Sequence, residues 1–247
     1  MKYMGSKNRL AKDIVPIIQK YIDDNNIENY LEPFVGGANV IDKIKCKNKY
    51  GSDNNEYLIA LLNNLDKIST LPNIVTKEHY SKVRECFNNK TKDFELWYIG
   101  AIGFLASYNG RFFDGGYAGE VITKTGKVRN YYNEAKRNLI NQIDSLKDIK
   151  FSYCDYSFYD CEKSKNCLFY LDPPYKNVKQ YGTSKNFDND KFWEWCRKIS
   201  KNNIVLISEQ EAPNDFKCIW EQEVKRTIDN NKRVKVTEKL FIYKGEE

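Results

Sequence analysis

NYLEPFVGG, residues 29–37, is the stretch that decides the fold class of this chain. Its apolar residues, followed by two glycines, predict a short strand that closes in a tight turn, with helical residues from Ala38 to about Ile44. KYGSD, residues 49–53, predicts a second strand that ends at an acid. Strand, glycine turn, helix, strand and acid, in this order, are typical of the opening of a nucleotide-binding α/β fold.

The rest of the chain divides into a central region, residues 66–133, and a resumed α/β pattern. Polar helical stretches in the central region precede SYNGRFFDGGYAGEVITKTGKVRNYY, residues 107–132, whose glycine, aromatic and basic residues predict a β-hairpin or long loop outside the core. Helices and strands then alternate up to VKVTEKLFIYK, residues 234–244, a closing hairpin strand. We therefore predict an α/β protein built from residues 1–65 and 134–247, with an inserted, mainly helical region that carries a β-hairpin.

Composition narrows the classes to which this protein can belong. The 40 Lys and Arg against 34 Asp and Glu give a net charge of +6, which is compatible with a polyanionic partner. No apolar run reaches the roughly 18–20 residues of a membrane-spanning helix, and we find no secretion signal. Seven cysteines without a C-x-x-C pair indicate reduced cytosolic thiols, and a single histidine, His79, excludes a His-rich metal site. We therefore expect a cytoplasmic protein without a metal centre.

LDPPY, residues 171–175, is the strongest candidate for catalytic chemistry. It follows the apolar run CLFYL, and a strand that runs into two prolines cannot continue its pairing, because neither proline has an N–H to donate. Asp172 and Pro173 each precede a proline and are therefore restricted to extended geometry. The motif predicts a stiff turn at the carboxyl end of a strand, where open α/β sheets bind ligands. A turn that merely ends the strand is the alternative.

The residues of this turn suit the activation of an exocyclic amine on a nucleobase. Such an amine is a poor nucleophile, because its lone pair is delocalised into the ring. The Asp172 carboxylate can accept one amine hydrogen and the Pro173 carbonyl the other, which directs the lone pair towards an electrophile. Tyr175, after Pro174, can stack on the base. We therefore predict Asp172, Pro173, Pro174 and Tyr175 as the catalytic residues.

Three motifs together resemble those of a known enzyme family. KYMGSK at residues 2–7, EPFVGG at residues 32–37 and DPPY at residues 172–175 follow one another as in Dam-type DNA adenine-N6 methyltransferases, the D12 class or alpha group. The resemblance covers nearly the whole chain. It implies a Rossmann-like class I S-adenosylmethionine-dependent methyltransferase fold, in which the inserted region recognises the DNA target.

The resemblance also implies S-adenosylmethionine as the cofactor, with S-adenosylhomocysteine as its product. The glycine loop would lie under the methionine part, Asp53 would bind the ribose hydroxyls, and Tyr156 would lie beside the adenine ring. The complete implied set is Tyr3, Lys7, Pro33, Phe34, Gly36, Gly37, Asp53, Asn54, Asp155, Tyr156 and Asp172.

Each of these cofactor residues also has a plainer interpretation, and two positions depart from the family pattern: Ala38, and Asn54, which stands where an apolar residue is usual. The glycine pair alone can be an ordinary turn, and Asp53 alone can cap the helix that follows it. Ala38 occupies the second glycine position of the family's F-x-G-x-G pattern. We expect this alanine to cost little, because we expect a helical backbone there.

DNA recognition is assigned by the same resemblance, mainly to the inserted region. Adenine in a duplex must be flipped out to reach the DPPY turn, at a cost of a few kcal/mol. Arginine can read guanine and asparagine can read adenine, so the basic loops are candidates for sequence recognition, with a solvated basic surface as the alternative. The predicted DNA-binding residues are Asn109, Arg111, Lys124, Lys127, Arg129, Tyr181, Lys232 and Arg233.

Other interpretations of the same sequence remain open. The acceptor can be cytosine N4, RNA or a protein glutamine amide, although Asp172 before two prolines favours adenine. A DNA-binding protein that kept the fold without catalysis is the alternative from another class. We expect double-stranded DNA as the partner, no membrane, and a monomer in solution, with a dimer on DNA as the alternative. The family implies the cytoplasm of a bacterial or phage-infected cell.

Overall fold

The computed structural model describes residues 1–123, 125–160, 162–175, 187–229 and 232–245, with the backbone alone at 225–229 and 232–234. Along these residues the helices and strands are, in chain order, α1 (Ala11–Asp24), β1 (Asn29–Glu32), β2 (Asn48–Asp53), α2 (Glu56–Leu62), α3 (Lys77–Asn89), α4 (Leu96–Leu105), β3 (Glu120–Ile122), β4 (Val128–Asn130), α5 (Tyr131–Ile140), α6 (Ile143–Leu146), β5 (Ile149–Tyr153), β6 (Cys167–Leu171), α7 (Asn189–Ile199), β7 (Ile204–Glu209), β8 (Phe216–Asp229) and β9 (Lys232–Tyr243).

The chain forms two compact units, each assembled from three stretches of sequence. The first unit comprises Met1–Val15, Val35–Ile44 and Asp53–Tyr153. The second unit comprises Pro16–Phe34, Lys45–Ser52 and Cys154–Glu247. No helix of the described residues has both the length and the apolarity to cross a membrane.

The second unit is built on a mostly parallel sheet. Its strands lie in the order β2, β1, β6, β7, β9, β8, and the first four are parallel. β9 runs antiparallel to β7 and forms a long hairpin with β8. The parallel strands therefore end at one edge, which is where an open α/β sheet binds its ligands.

One face of this sheet packs into an apolar core. Leu31 pairs with Phe169, and Phe169 pairs with Val205, so three neighbouring strands present apolar side chains in one row. Helix α7 covers this row with Phe192 and Cys196, both buried. All five residues of β6 are buried, as expected for a central parallel strand. The apolar run before the DPPY turn is thus the middle of the sheet, and the α/β fold class predicted from sequence is confirmed.

The first unit is mainly helical and carries a small β-hairpin. Helices α3 and α4 lie within the central region of the sequence, and β3 and β4 form the two-stranded antiparallel hairpin. The helix α4 sequence LWYIGAIGFL is apolar on all sides, and seven of its ten residues are buried. Helix α2 packs closely on it, because a Cβ added at Gly100 would lie 2.2 Å from the Tyr57 carbonyl oxygen. The predicted hairpin is present.

The predicted helix from Ala38 to Ile44 is wrong. Only Ile41–Lys43 form a short 3₁₀ turn in this stretch. Ala38 is fully buried and has a φ of +54°, in the left-handed region, so the backbone at this residue cannot continue a right-handed helix. This geometry also explains why the family pattern has glycine here, and the helical backbone expected at Ala38 is absent.

The expectation that residues 107–132 lie outside the core is wrong for their first part. Phe113 is buried at 3 % exposure, and Phe112 packs with Phe87 at a centroid distance of 5.0 Å. The Ser107 hydroxyl accepts the Phe113 backbone N–H and contacts the Tyr80 hydroxyl at 2.9 Å. This aromatic packing is the physical reason for the burial. Strands β3 and β4 are mostly exposed, as predicted, but Tyr132 at the end of the segment is fully buried.

Candidate active site

The glycine turn after β1 is tied to Asp53 within the first unit. Ala38 N–H donates to the Val35 carbonyl at 2.9 Å, which closes the turn over Gly36 and Gly37. Gly36 has a φ of +47°, a conformation that side chains disfavour, and its N–H donates to Asp53 Oδ2 at 3.2 Å. Two groups that the family resemblance implies for cofactor binding are therefore in direct contact.

Tyr3 explains why both residues of the turn are glycine. A Cβ added at Gly36 would lie 3.0 Å from the Tyr3 ring, and one at Gly37 would lie 2.8 Å from Tyr3 Cβ. The free space above the glycines is thus filled by Tyr3, whose ring also packs on Phe104 at 5.6 Å. Lys7, in the same N-terminal motif, is buried in a short 3₁₀ turn that Ser6 caps.

Asp53 ends β2 as a buried carboxylate. Its Oδ1 accepts the Asn55 N–H at 3.1 Å while its Oδ2 accepts the Gly36 N–H. Burial raises the pKa of Asp53 from 3.8 to about 6, although the backbone N–H donors of Gly36, Asn55 and Asn54 lower it. The carboxyl is therefore ionised above pH 6 and can accept further hydrogen bonds, the property that ribose hydroxyls require.

The N-terminus of helix α2 is capped by Asn55 and not by Asp53. The Asn55 side chain accepts the N–H groups of Tyr57 and Leu58, both at 3.1 Å, so Asn55 is the N-cap. The alternative interpretation of Asp53 as the helix cap is therefore wrong. Asn54 lies between them with an exposed side chain.

Phe34 and Tyr156 come together in the second unit. Their rings stack at a centroid distance of 5.5 Å with an interplanar angle of 27°. Phe187 packs near both rings, at 5.9 and 5.8 Å. The exposed Asp155 caps the turn that carries Tyr156, because its Oδ1 accepts the Ser157 N–H at 3.0 Å. Two residues implied by the resemblance thus form one aromatic pair, in which Tyr156 is buried and Phe34 is partly buried.

The DPPY turn leaves the carboxyl end of β6 in the second unit. Asp172 and Pro174 are partly buried, whereas Pro173 is buried and Tyr175 is only 7 % exposed. Strand β6 ends at Leu171, as the two prolines require. The turn therefore presents a partly accessible carboxylate, and a tyrosine that is fixed by its surroundings.

A buried acid that was not predicted from the sequence contacts this tyrosine. The Tyr175 hydroxyl donates to Glu238 Oε2 at 2.9 Å, and Glu238 is 2 % exposed. Burial, the charge of Asp172 and the charge of Glu238 all raise the pKa of Tyr175 well above its ordinary value. The available signal was the inward position of Glu238 in VTEKLFIYK, where the alternation that includes buried Leu240 predicts an apolar residue.

Asn109 and Arg111 lie in a loop that packs on the N-terminal motif. Asn109 is exposed with a φ of +54°, and Arg111 Nε contacts Met4 Sδ at 3.2 Å. Gly110, between them, has a φ of +65°, and an added Cβ would lie 2.5 Å from the Lys2 carbonyl oxygen. The loop is therefore seated closely against residues 2–4.

The exposed hairpin carries the remaining described candidates for DNA binding. Lys127 is exposed near its turn. Arg129 forms a two-bond pair with Glu134, with Nε–Oε1 at 2.8 Å and Nη2–Oε2 at 2.7 Å, and lies 4.7 Å from the Tyr131 ring centre. Lys124 and Tyr181 lie outside the described residues. Lys232 and Arg233 are the first two residues of β9, where the structure describes the backbone alone.

The described groups fit S-adenosylmethionine chemically. Asp53 would supply a buried carboxylate for hydroxyl donors, and the partly buried Phe34, packed on Tyr156, would supply an aromatic ring for adenine. The first of these belongs to the first unit and the second to the second unit. A parallel α/β sheet, the glycine turn with its acid and the DPPY turn define the class: a Rossmann-like, S-adenosylmethionine-dependent methyltransferase.

The chain belongs to the D12 class N6 adenine-specific DNA methyltransferase family, whose model matches residues 3–236. It is 28% identical over 246 residues to the type II methyltransferase M.MjaIII of Methanocaldococcus jannaschii, covering 87% of this chain and 85% of that protein. It is 25% identical to the type II methyltransferase M.FokI of Planomicrobium okeanokoites, covering 80% of this chain but 31% of that protein. A third relative, the modification methylase StsI of Streptococcus sanguinis, is 25% identical over 71% of this chain and 28% of its own length.

Solved structures resemble the chain only distantly. PH1948 from Pyrococcus horikoshii has a TM-score of 0.43 and 11% identity, covering 98% of this chain and 85% of that one. SMU.472 in complex with SAH has a TM-score of 0.36 and 10% identity, covering 96% of this chain and 54% of that one. The assignment of the chain to DNA adenine methylation therefore rests on the family.

Proposed function

We propose that this enzyme methylates N6 of a flipped-out adenine at a specific site in double-stranded DNA, and that the DPPY turn activates the amine. The observation that carries the proposal is the rigid turn after β6, with the partly accessible carboxylate of Asp172 at the carboxyl edge of a parallel sheet. Family membership supports the reaction, and the turn supports the role of these residues.

The turn activates the amine through two acceptors. The Asp172 carboxylate accepts one N6 hydrogen and the Pro173 carbonyl accepts the second, which orients the nitrogen lone pair away from the purine plane. Pro173 and Pro174 restrict the backbone, so little reorganisation is required when the base arrives. Tyr175 provides an aromatic surface for the base, and base–aromatic stacking contributes roughly 1–3 kcal/mol. This contribution offsets much of the few kcal/mol that base flipping costs.

The proposed cofactor-binding residues are those that the family resemblance implies. When bound, S-adenosylmethionine supplies the electrophilic methyl group. In the first unit, Asp53 accepts hydrogen bonds from the ribose hydroxyls, Lys7 faces the cofactor carboxylate, and Tyr3 with the glycine turn forms the floor. Asn54 is a further proposed contact in the first unit, and Pro33 and Asp155 accompany the Phe34–Tyr156 pair in the second unit.

DNA recognition is proposed for the inserted region, residues 66–133, with residues 1–65 and 134–247 as the catalytic part. Asn109 and Arg111 are the proposed base-reading residues, because their loop is held in a defined position against the N-terminal motif. Lys124, Lys127 and Arg129 would bind phosphates, as would Lys232 and Arg233, while Tyr181 would hold the target nucleotide. The enzyme acts as a monomer in solution.

Mapping modified bases in DNA from cells that express the chain tests the proposal. Wild type should place N6-methyladenine in one sequence motif, Asp172→Ala should place none, and the exposed Asp190→Ala should equal wild type. Full activity of Asp172→Ala would refute the mechanism. Methylated cytosine in wild-type DNA would refute the adenine assignment. An Arg111→Ala variant with unchanged motif and DNA affinity would refute the role of that loop.

A further inference from the structure

Glu238 and the Tyr175 hydroxyl form a hydrogen bond whose two ends are both held rigidly. Glu238 lies in β9 and pairs with Gln222 of β8. Two residues further along β9, Leu240 pairs with Ser208 of β7 on the other side of the strand. Sheet pairing on both sides of this strand fixes its backbone. Tyr175 follows Pro173 and Pro174, whose rings restrict the turn. The 2.9 Å contact therefore joins the last strand of the sheet to the DPPY turn.

The surroundings keep the tyrosine hydroxyl a donor. Both side chains are buried, at 7 % exposure for Tyr175 and 2 % for Glu238. The Tyr170 hydroxyl lies in the same buried region, where burial and then the charge of Asp172 raise its pKa well above the ordinary value. A hydroxyl that does not ionise at neutral pH remains a hydrogen-bond donor, and Glu238 Oε2 is its acceptor.

We propose that Glu238 is a positioning residue for methyl transfer: by accepting the Tyr175 hydroxyl it fixes the ring of Tyr175, and with it the angle at which Asp172 and Pro173 meet the adenine amine. The inference rests on the proposed function of the DPPY turn. Small displacements in such sites are costly, since an error of about 1 Å can lower a rate by about 100-fold. A hydrogen bond to a carboxylate is strong enough to prevent such a displacement.

Four variants separate this role from a structural one. Tyr175→Phe removes the donor and keeps the ring. Glu238→Leu removes the acceptor, whereas Glu238→Gln keeps an oxygen acceptor. Tyr30→Phe is the matched control, because the Tyr30 hydroxyl donates to Glu32 at 2.6 Å, and both of these residues are buried in β1. Each variant is measured for kcat, for the KM of cofactor and DNA, and for thermal unfolding.

The expected result is a change in kcat alone. Tyr175→Phe and Glu238→Leu should each lower kcat about tenfold, the equivalent of one hydrogen bond to a charged acceptor, with the KM of the cofactor unchanged. Glu238→Gln should recover most of the rate, and Glu238→Leu should add no further loss in the Tyr175→Phe background. Tyr30→Phe should lower stability without lowering kcat.

Additive losses from Tyr175→Phe and Glu238→Leu would overturn the inference, as would equal losses of kcat in Tyr175→Phe and Tyr30→Phe. If Glu238→Leu does not fold, this comparison of the two phenylalanine variants decides alone. A wild type that methylates no adenine in the same assay refutes the proposed function itself. An active wild type with insensitive variants refutes only the role of Glu238.

Discussion

Replacing Asp53 by asparagine should change how the stability of the protein depends on pH. Burial raises the pKa of Asp53 to about 6 in the folded chain, against an ordinary value of 3.8. Between these values the folded state keeps a proton that the unfolded state has released, so stability falls as the pH rises through this window. At about 1.36 kcal/mol per pH unit, the difference between the folded and unfolded pKa values of Asp53 corresponds to a loss of about 3 kcal/mol in the free energy of unfolding by pH 7.

Urea unfolding of wild type and Asp53→Asn across pH 5 to 7.5 measures this effect. Because the variant lacks only this titrating group, the difference between the two free energies of unfolding isolates it. From pH 5 to 7.5, the free energy of unfolding of the variant should rise by about 1.4 kcal/mol relative to that of wild type. The full effect is not seen in this range, because roughly half of it is already present at pH 5. A constant difference across the range would show that Asp53 titrates normally and would refute the burial argument.

Three further perturbations test other parts of the structure. If Asp53 binds the ribose hydroxyls, the affinity for S-adenosylmethionine measured by calorimetry should fall by up to about tenfold per pH unit below pH 6, and it should stay flat in Asp53→Asn. Ala38→Val should lower the free energy of unfolding by about 2 kcal/mol or more, because a branched side chain is strained at positive φ in a packed site, while Ala38→Gly should stay within about 1 kcal/mol of wild type. If Arg129 binds phosphate, Glu134→Gln should free Arg129 from its ion pair and strengthen the binding of a non-cognate duplex, measured by fluorescence anisotropy. Arg129→Ala should weaken this binding and reduce the slope of log affinity against log salt by about one. Equal affinities in both variants would show that Arg129 does not contact the DNA.

The sequence predicted the centre of the fold well because its signals there are local. Strand β6 has the predicted bounds, since an apolar run that meets two prolines can end only at Leu171. The strand before the glycine turn and the strand that ends at Asp53 were likewise predicted, although β1 stops at Glu32. In each case adjacent residues determine the geometry.

The features that were missed depend on contacts between distant residues. Ala38 was expected to be helical, because nothing in its neighbours shows that the turn forces a positive φ. Phe113 was assigned to an exposed loop on the strength of its glycine-rich surroundings, yet it packs with Tyr80 and Phe87. The alternation in VTEKLFIYK could mark Glu238 as buried, but it could not identify Tyr175 as its partner, because the folding of β9 brings Glu238 to the DPPY turn.

The close seating of Gly110 on residues Lys2 and Tyr3 has a consequence for protein engineering. The proposed recognition region lies within one uninterrupted stretch of the first unit, Asp53–Tyr153, so it can be transplanted between relatives as a single cassette. A segment transplanted from a relative would carry that relative's residue at position 110. Any side chain at this position would collide with the Lys2 carbonyl oxygen. A donor without glycine at this position must therefore also contribute its N-terminal motif, which makes two segments far apart in sequence one module for the design of new target specificities.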